Sequence, residues 1–206
     1  MQYDPFNLII TGVGGQGNVL ASQIIGRVFI KAGYEVTIGE TYGLSQRGGA
    51  VTSHLRLSRK QVYGPIIPNG QAHAAVSLEP LETLRVWRPY GHPEGTILVN
   101  NRAIYPLRVI SGEAKYLSQD EIQKALEGRS RSVIWIPATA MAMELGKAIL
   151  ANMVMLGALA GSDILDSNPD GYYEVFEEMF PGAVHPPTPA THCAYWALVT
   201  SVRSMR

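Results

Sequence analysis

Six consecutive residues, Gly12-Val13-Gly14-Gly15-Gln16-Gly17, form the pattern G-x-G-x-x-G, directly after an apolar run and directly before an amphipathic one. Glycines at this spacing let a backbone take positive φ, and they let N–H groups and a helix N-terminus approach an anion such as a phosphate. The same glycines could serve only a tight turn and close packing of a helix on a sheet, and on this motif alone the two readings weigh equally. A second candidate is Arg47, in Ser45-Gln46-Arg47-Gly48-Gly49. A guanidinium beside two glycines can clamp a carboxylate or phosphate through paired hydrogen bonds, pair with an acid such as Glu40, or sit in a subunit interface.

Other reactive side chains carry less. A dinucleotide site places an acid about 20 residues beyond its glycines to hold a ribose, and Glu40 stands in that place, although in a polar loop that such sites do not require. His54, His73, His92, His185 and His192 include no H-x-H or H-x-x-x-H pair, so each reads as structural or superficial rather than as a metal ligand. Cys193 lies beside His192, but neighbours in a helix or strand point apart, and the thiol reads as plain core. Met141, Met143, Met153 and Met155 read as core filling. No residue is assigned a catalytic role and none a metal.

The elements that must position these residues follow from hydrophobic period. Phe6 to Thr11 reads as a buried strand running into the glycine turn, and Asn18 to Ala32 as a helix closed by Gly33. Strand, glycine turn and helix open a βαβ unit. Tyr34 to Gly39, Ala50 to Leu57, His73 to Leu78, Thr96 to Asn100 and Ser132 to Pro137 read as further strands. Tyr63 to Gly70 is turn chemistry, and Glu79 to Tyr90 a short helix. Ser118 with Glu121 forms a capping box for a helix ending near Gly128. Ala138 to Ala160 reads as one long helix with interruptions expected at Gly146 and Gly157. Pro169 to Phe180 reads as another helix, Val184 to Thr191 as an extended loop, and His192 to Arg203 as a terminal helix. This alternation predicts a single Rossmann-like α/β domain over residues 1–206, with a mostly parallel sheet and helices on both faces. Such folds bind ligands at the carboxyl ends of their strands, where this chain carries Gly12 to Gly17 and Glu40 to Gly49.

Composition narrows the classes. Lys plus Arg and Asp plus Glu number 17 each, so nothing favours a nucleic acid or an anionic membrane surface. Hydrophobic residues reach 46% against 17% charged, which leaves little polar material to cover a free surface and predicts that a partner buries some of it. One cysteine excludes a self-contained iron–sulfur cluster or an internal disulfide. With no basic segment ahead of a long apolar run at the N-terminus, and no apolar run of the roughly 20 residues that a bilayer needs, a cytoplasmic setting is expected.

Taken together, GVGGQGNVLASQIIG, ETYGLSQRGGAVTSHLRL, GPIIPNGQAHAAVSLEPLETLR and ANMVMLGALAG resemble, in the same order, the gamma-type domain of 2-oxoacid:ferredoxin oxidoreductases. Within that family, Tyr42-Gly43 ahead of S-Q-R-G-G is more similar to the indolepyruvate branch than to pyruvate or 2-oxoglutarate enzymes, where an acid commonly precedes R-G-G. Related aryl-oxoacid enzymes stay open. The resemblance implies a non-cofactor subunit of an enzyme that oxidatively decarboxylates a 2-oxoacid, with coenzyme A taking the acyl group and ferredoxin the electrons. Thiamine diphosphate and iron–sulfur clusters would belong to a larger partner subunit, and this chain alone would be inactive. Gly12, Gly14, Gly15, Gln16 and Gly17 match the family's glycine turn, and Gln46, Arg47, Gly48 and Gly49 match its R-G-G loop. The resemblance makes these loops candidates to face the partner's active site or to hold coenzyme A. The competing readings are an independent NAD- or FAD-binding oxidoreductase, a pyruvate- or 2-oxoglutarate-type gamma subunit, and a scaffold subunit that holds no ligand.

Overall fold

A computed structural model describes residues 2–43, 49–162 and 164–181. Its elements in chain order are β1 (Phe6–Val13), α1 (Asn18–Lys31), β2 (Glu35–Tyr42), β3 (Ala50–Ser58), β4 (Ala72–Ser77), α2 (Pro80–Tyr90) and β5 (Gly91–Asn100). There follow α3 (Leu107–Ile110), α4 (Gln119–Glu127), β6 (Ser132–Ile136), α5 (Ala138–Glu144), a 3-10 turn at Ala148–Leu150, α6 (Ala151–Gly161) and α7 (Pro169–Met179). The loop expected at Val184 to Thr191 and the helix at His192 to Arg203, with His185, His192 and Cys193, lie outside the described residues.

The strands form one six-stranded sheet in the order β2-β3-β1-β4-β5-β6. β1, β4, β5 and β6 pair in parallel, as the sequence predicts. β3 runs antiparallel to both β1 and β2 and lies between them, so β2 does not neighbour β1 as a simple βαβ opening would place it. The physical reason is the connection. Parallel neighbours need a crossover of a dozen or more residues, whereas β2 and β3 are separated by residues 43–49 alone and can only fold back on each other.

Both faces of the sheet are covered. Phe6, Leu8 and Ile10 of β1 point to a core shared with α1, α6 and α7, including Ile24, Ile25, Leu159 and Val175. Ile9 points the other way, into a smaller core with Trp87 of α2 and Ile122 and Leu126 of α4. This alternation along a continuous apolar strand is what a strand buried on both sides requires. α6 is buried at nearly every position and apolar all round, so it is a core helix rather than a surface one.

The helix expected from Ala138 to Ala160 breaks once. Gly146, at φ +97°, follows the C-cap of α5, its N–H donating to the Met143 carbonyl at 2.9 Å and that of Lys147 to Ala142 at 3.2 Å. This is the paired bonding of a left-handed helix stop. Gly157 causes no break and lies buried inside α6. The capping box at the head of α4 forms as read: the Ser118 side chain accepts from the Glu121 N–H, and the Glu121 carboxylate accepts from the Ser118 N–H.

Two histidines are built into the framework. His54, in β3, is fully buried edge-on to Tyr90, and burial lowers its pKa. His73, in β4, stacks on Tyr3 at 3.9 Å and accepts the Asn7 N–H through Nδ1 at 3.0 Å. Burial, with a smaller push from His92, lowers it from 6.5 to about 4. The unfolded chain therefore takes up a proton near pH 6.5 that the fold refuses until about pH 4, so this contribution is complete above pH 6.5 and lost as pH falls through that window. Urea midpoints measured at pH 7, 5.5 and 4 should fall progressively, and His73→Asn should flatten the trend; a midpoint independent of pH over this range would contradict the burial argument.

Candidate functional site

The carboxyl edge of the sheet gathers the ends of β1, β2, β4, β5 and β6, because these five strands share one direction. β1 extends through Gly12 to Val13, further than its sequence indicates, and this divides the roles of the glycines. Gly12 is a strand residue whose absent Cβ would stand 2.6 Å from Gln16 Oε1 and 3.0 Å from Leu78 Cβ, so it permits close approach rather than a turn. Gly14 and Gly15 are exposed, and the turn passes through Gly15 at φ +95° with open space beside it. Gly17 is the N-cap of α1 at φ +83°, and a Cβ there would lie 2.2 Å from Asn152 Nδ2.

Gln16 is not a free ligand group. Its Oε1 accepts from the Val13 N–H at 2.7 Å and its Nε2 donates to the Leu78 carbonyl at 2.9 Å, tying the turn to the ends of β1 and β4. The ligand capacity of the turn is therefore backbone. Gly17 offers no side-chain cap, no acid lies in the first turn of α1, and the leading N–H groups of this 14-residue helix present the positive end of its dipole.

The second motif comes to the same place. The Gly14 N–H donates to the Gly49 carbonyl at 2.9 Å, and the Gly43 N–H donates to the Ala50 carbonyl at 2.7 Å. Both ends of the loop after β2 are thus anchored beside the glycine turn. Gln46, Arg47 and Gly48 lie outside the described residues; Gly49 is the described member of that motif and touches the turn directly.

Glu40 does not complete a dinucleotide site. Its carboxylate accepts from the Tyr42 hydroxyl, and β3 separates β2 from β1. At about 4.8 Å per strand spacing, the acid stands roughly 10 Å from β1, one strand further out than the place where a ribose-binding residue belongs.

Behind the turn lies a network of amides that the motifs do not announce. Asn100, fully buried at the end of β5, donates to the Leu78 carbonyl at 3.1 Å and to Thr139 Oγ1 at 2.9 Å, and accepts the Thr139 N–H at 3.2 Å. Asn152 Nδ2 reaches the Gly17 carbonyl at 3.5 Å. Asn18 Oδ1 is buried with no partner among the described residues. Glu79, also buried, caps α2 through the Glu82 N–H at 2.8 Å and accepts from the Ile104 N–H and the Tyr116 hydroxyl. Burial first, and that carboxylate second, raise the Tyr116 pKa far above its usual value. Asparagine at a strand end or a helix start was the available signal, since both places leave backbone groups to satisfy. Among the described residues no three His, Cys, Asp or Glu side chains group so as to hold a metal ion.

The family model of pyruvate ferredoxin/flavodoxin oxidoreductase matches residues 7–185. The chain is 39% identical to the indolepyruvate oxidoreductase subunit IorB of Pyrococcus horikoshii, over 75% of this chain and 76% of that protein. It is 33% identical to the 2-oxoglutarate synthase subunit KorC of Methanothermobacter marburgensis, over 73% of each. In fold it is similar to the gamma subunit of a keto/oxoacid ferredoxin oxidoreductase from Geobacter sulfurreducens, with TM-score 0.65 at 19% identity, covering 97% of this chain and 99% of that one. It also matches part of the 2-oxoglutarate:ferredoxin oxidoreductase of Magnetococcus marinus, solved with coenzyme A and succinyl-CoA bound, with TM-score 0.68 at 15% identity. That match covers 99% of this chain and 31% of the larger one.

The roles of the turn residues are separable by stability. Gln16→Ala strands the Val13 N–H, and Gly17→Ala forces a Cβ into positive φ and onto Asn152. Each should lower unfolding free energy by about 1–3 kcal/mol in urea titrations. A Gly15→Ala change meets only φ strain, costing about 1 kcal/mol, so equal losses at Gly15 and Gly17 would contradict the assigned packing.

Proposed function

Since the chain belongs to the pyruvate ferredoxin/flavodoxin oxidoreductase family, we propose that it is the small, gamma-type subunit of an oxidoreductase acting on indolepyruvate or a related aryl 2-oxoacid. The subunit works with a larger partner that carries thiamine diphosphate and iron–sulfur clusters. The overall reaction joins a 2-oxoacid and coenzyme A, releases carbon dioxide and acyl-CoA, and passes two electrons to ferredoxin. Four relatives named IorB, at 37 to 39% identity over about three quarters of each chain, support the aryl branch.

The observation that carries the reading is the Gly14–Gly49 hydrogen bond, which joins the two motif loops at one edge beside an uncapped helix N-terminus. In this reading the backbone donors of the turn and the Arg47 guanidinium hold the phosphate groups of coenzyme A against the partner's active site. The single cysteine of this chain leaves cluster ligation to the partner. The chain contributes binding and orientation, and the redox chemistry runs on the partner's groups. Among the described residues no helix is long and apolar enough to cross a membrane. An independent NAD- or FAD-binding enzyme is disfavoured by the displaced Glu40.

Co-expression with the large subunit, followed by anaerobic viologen reduction, tests this. Activity should need both chains and coenzyme A and be highest on indolepyruvate or phenylpyruvate. Preference for pyruvate or 2-oxoglutarate would move the chain to another branch of the family, and full activity of either chain alone would refute the division of labour. Arg47→Ala should raise the KM for coenzyme A about tenfold; an unchanged value would remove that residue from the cofactor's site.

A further inference from the structure

Of the thirteen large apolar side chains exposed among the described residues, four stand apart: Ile30, Val62, Ile66 and Tyr173. The other nine are the last residue of β2 or belong to the segments that leave the carboxyl ends of β5 and β6. The segment between β5 and α4 is the extreme case. Its short helix α3 buries no residue, and Leu107 and Ile110 are 79% and 71% exposed. Tyr105 precedes them, and Met143, Leu145 and Ile149 stand exposed after β6.

This apolar rim is tied to the site already described. The Ile104 N–H and the Tyr116 hydroxyl both donate to Glu79 behind β4. Ile149 lies three residues before Asn152, which reaches the Gly17 carbonyl. Exposed large apolar side chains gathered at one edge of a fold mark an interaction site, and here they extend the edge that holds the glycine turn.

We propose that residues 104–117 and the turn at 143–149 form the docking surface for the larger subunit, whose matching face is apolar with acidic residues around it; this rests on the function proposed above. Charge selects that occupant. Arg102, just ahead of the patch, and Arg108, Lys115 and Lys147 within it stand against two acids, Glu144 and Glu113, the latter 3.5 Å from Arg108. A two-fold dimer on this face would bring together two surfaces of the same net positive charge. α7 packs on the last turns of α1, with Lys31 paired to Glu178, so the described chain ends by the opposite edge of the sheet. α1 alone spans about 21 Å between the two edges.

The test measures binding of the purified full-length chain to the large subunit by titration, for wild type, Leu107→Glu/Ile110→Glu and the control Val62→Glu. Circular dichroism melts verify folding, and Leu107→Ser/Ile110→Ser replaces the Glu pair if that pair fails to fold. The rim variants should bind at least about tenfold more weakly while the control binds as wild type. Wild-type binding that the rim variants leave unchanged overturns the docking surface alone, whereas no wild-type binding overturns the functional reading beneath it. Sedimentation showing a wild-type dimer that Leu107→Glu/Ile110→Glu dissociates would assign the face to a second copy. Strong hydrogen-exchange protection of residues 104–117 in the isolated chain, under conditions where it is monomeric, would assign it to the chain's own remaining residues. Either result overturns the proposal.

Discussion

The placement of β3 between β1 and β2 is the constraint from which the rest of the carboxyl edge follows. In a nucleotide-binding sheet the strand after the first helix lies beside the first strand and brings its acid to the ribose. Here an antiparallel strand occupies that position along its full length, from Phe6 opposite Leu57 to Val13 opposite Ala50. The register delivers Gly49 to Gly14, and it moves Glu40 out to a strand with only one neighbour. One topological choice thus removes the chemistry of a dinucleotide site and assembles a different edge from the same glycine motif.

Behind that edge, rigidity comes from neutral groups. The Leu78 carbonyl accepts from both Gln16 and Asn100, and Asn100 also fixes the start of α5 through Thr139. Each such bond contributes about 1 kcal/mol net, but losing one leaves a buried donor or acceptor unpaired at a cost of about 1–3 kcal/mol. Carboxylates in these places would need charged partners and would oppose an incoming phosphate, whereas amides satisfy the strand ends without adding a field. The buried carboxylates among the described residues turn elsewhere, Glu79 to the N-terminus of α2 and to Tyr116, and Glu82 to Arg85.

Much of this was legible in the sequence, and the unread parts have physical causes. Alternating strands and helices, the capping box at Ser118 and the break at Gly146 are set by local rules, and each formed as expected. The antiparallel course of β3 was also written in the sequence, in the absence of any helical stretch between Tyr42 and Ala50, but a count of alternating elements passes over a connection length. The turn glycines were legible as a group and not individually. Only the packed structure distinguishes Gly12, which makes room for Leu78 and Gln16, from Gly15, which faces open space. Asn100, Thr139 and Asn152 were unreadable as a network because their partners lie 22 to 135 residues away.

These features explain why such an edge belongs to a subunit rather than to an enzyme complete in itself. Backbone N–H donors facing water gain little from an anion, because water offers comparable bonds and a high dielectric weakens the field of the helix. The same donors become effective once a second protein surface excludes water. In the proposed assembly an apolar rim around the turn's backbone donors provides for that sequence of events: burial of Leu107, Ile110 and their neighbours dries the edge, and drying strengthens the hold of those donors on a phosphate. In the proposed assembly, docking and cofactor binding are therefore one coupled event, and by linkage each strengthens the other by the same factor.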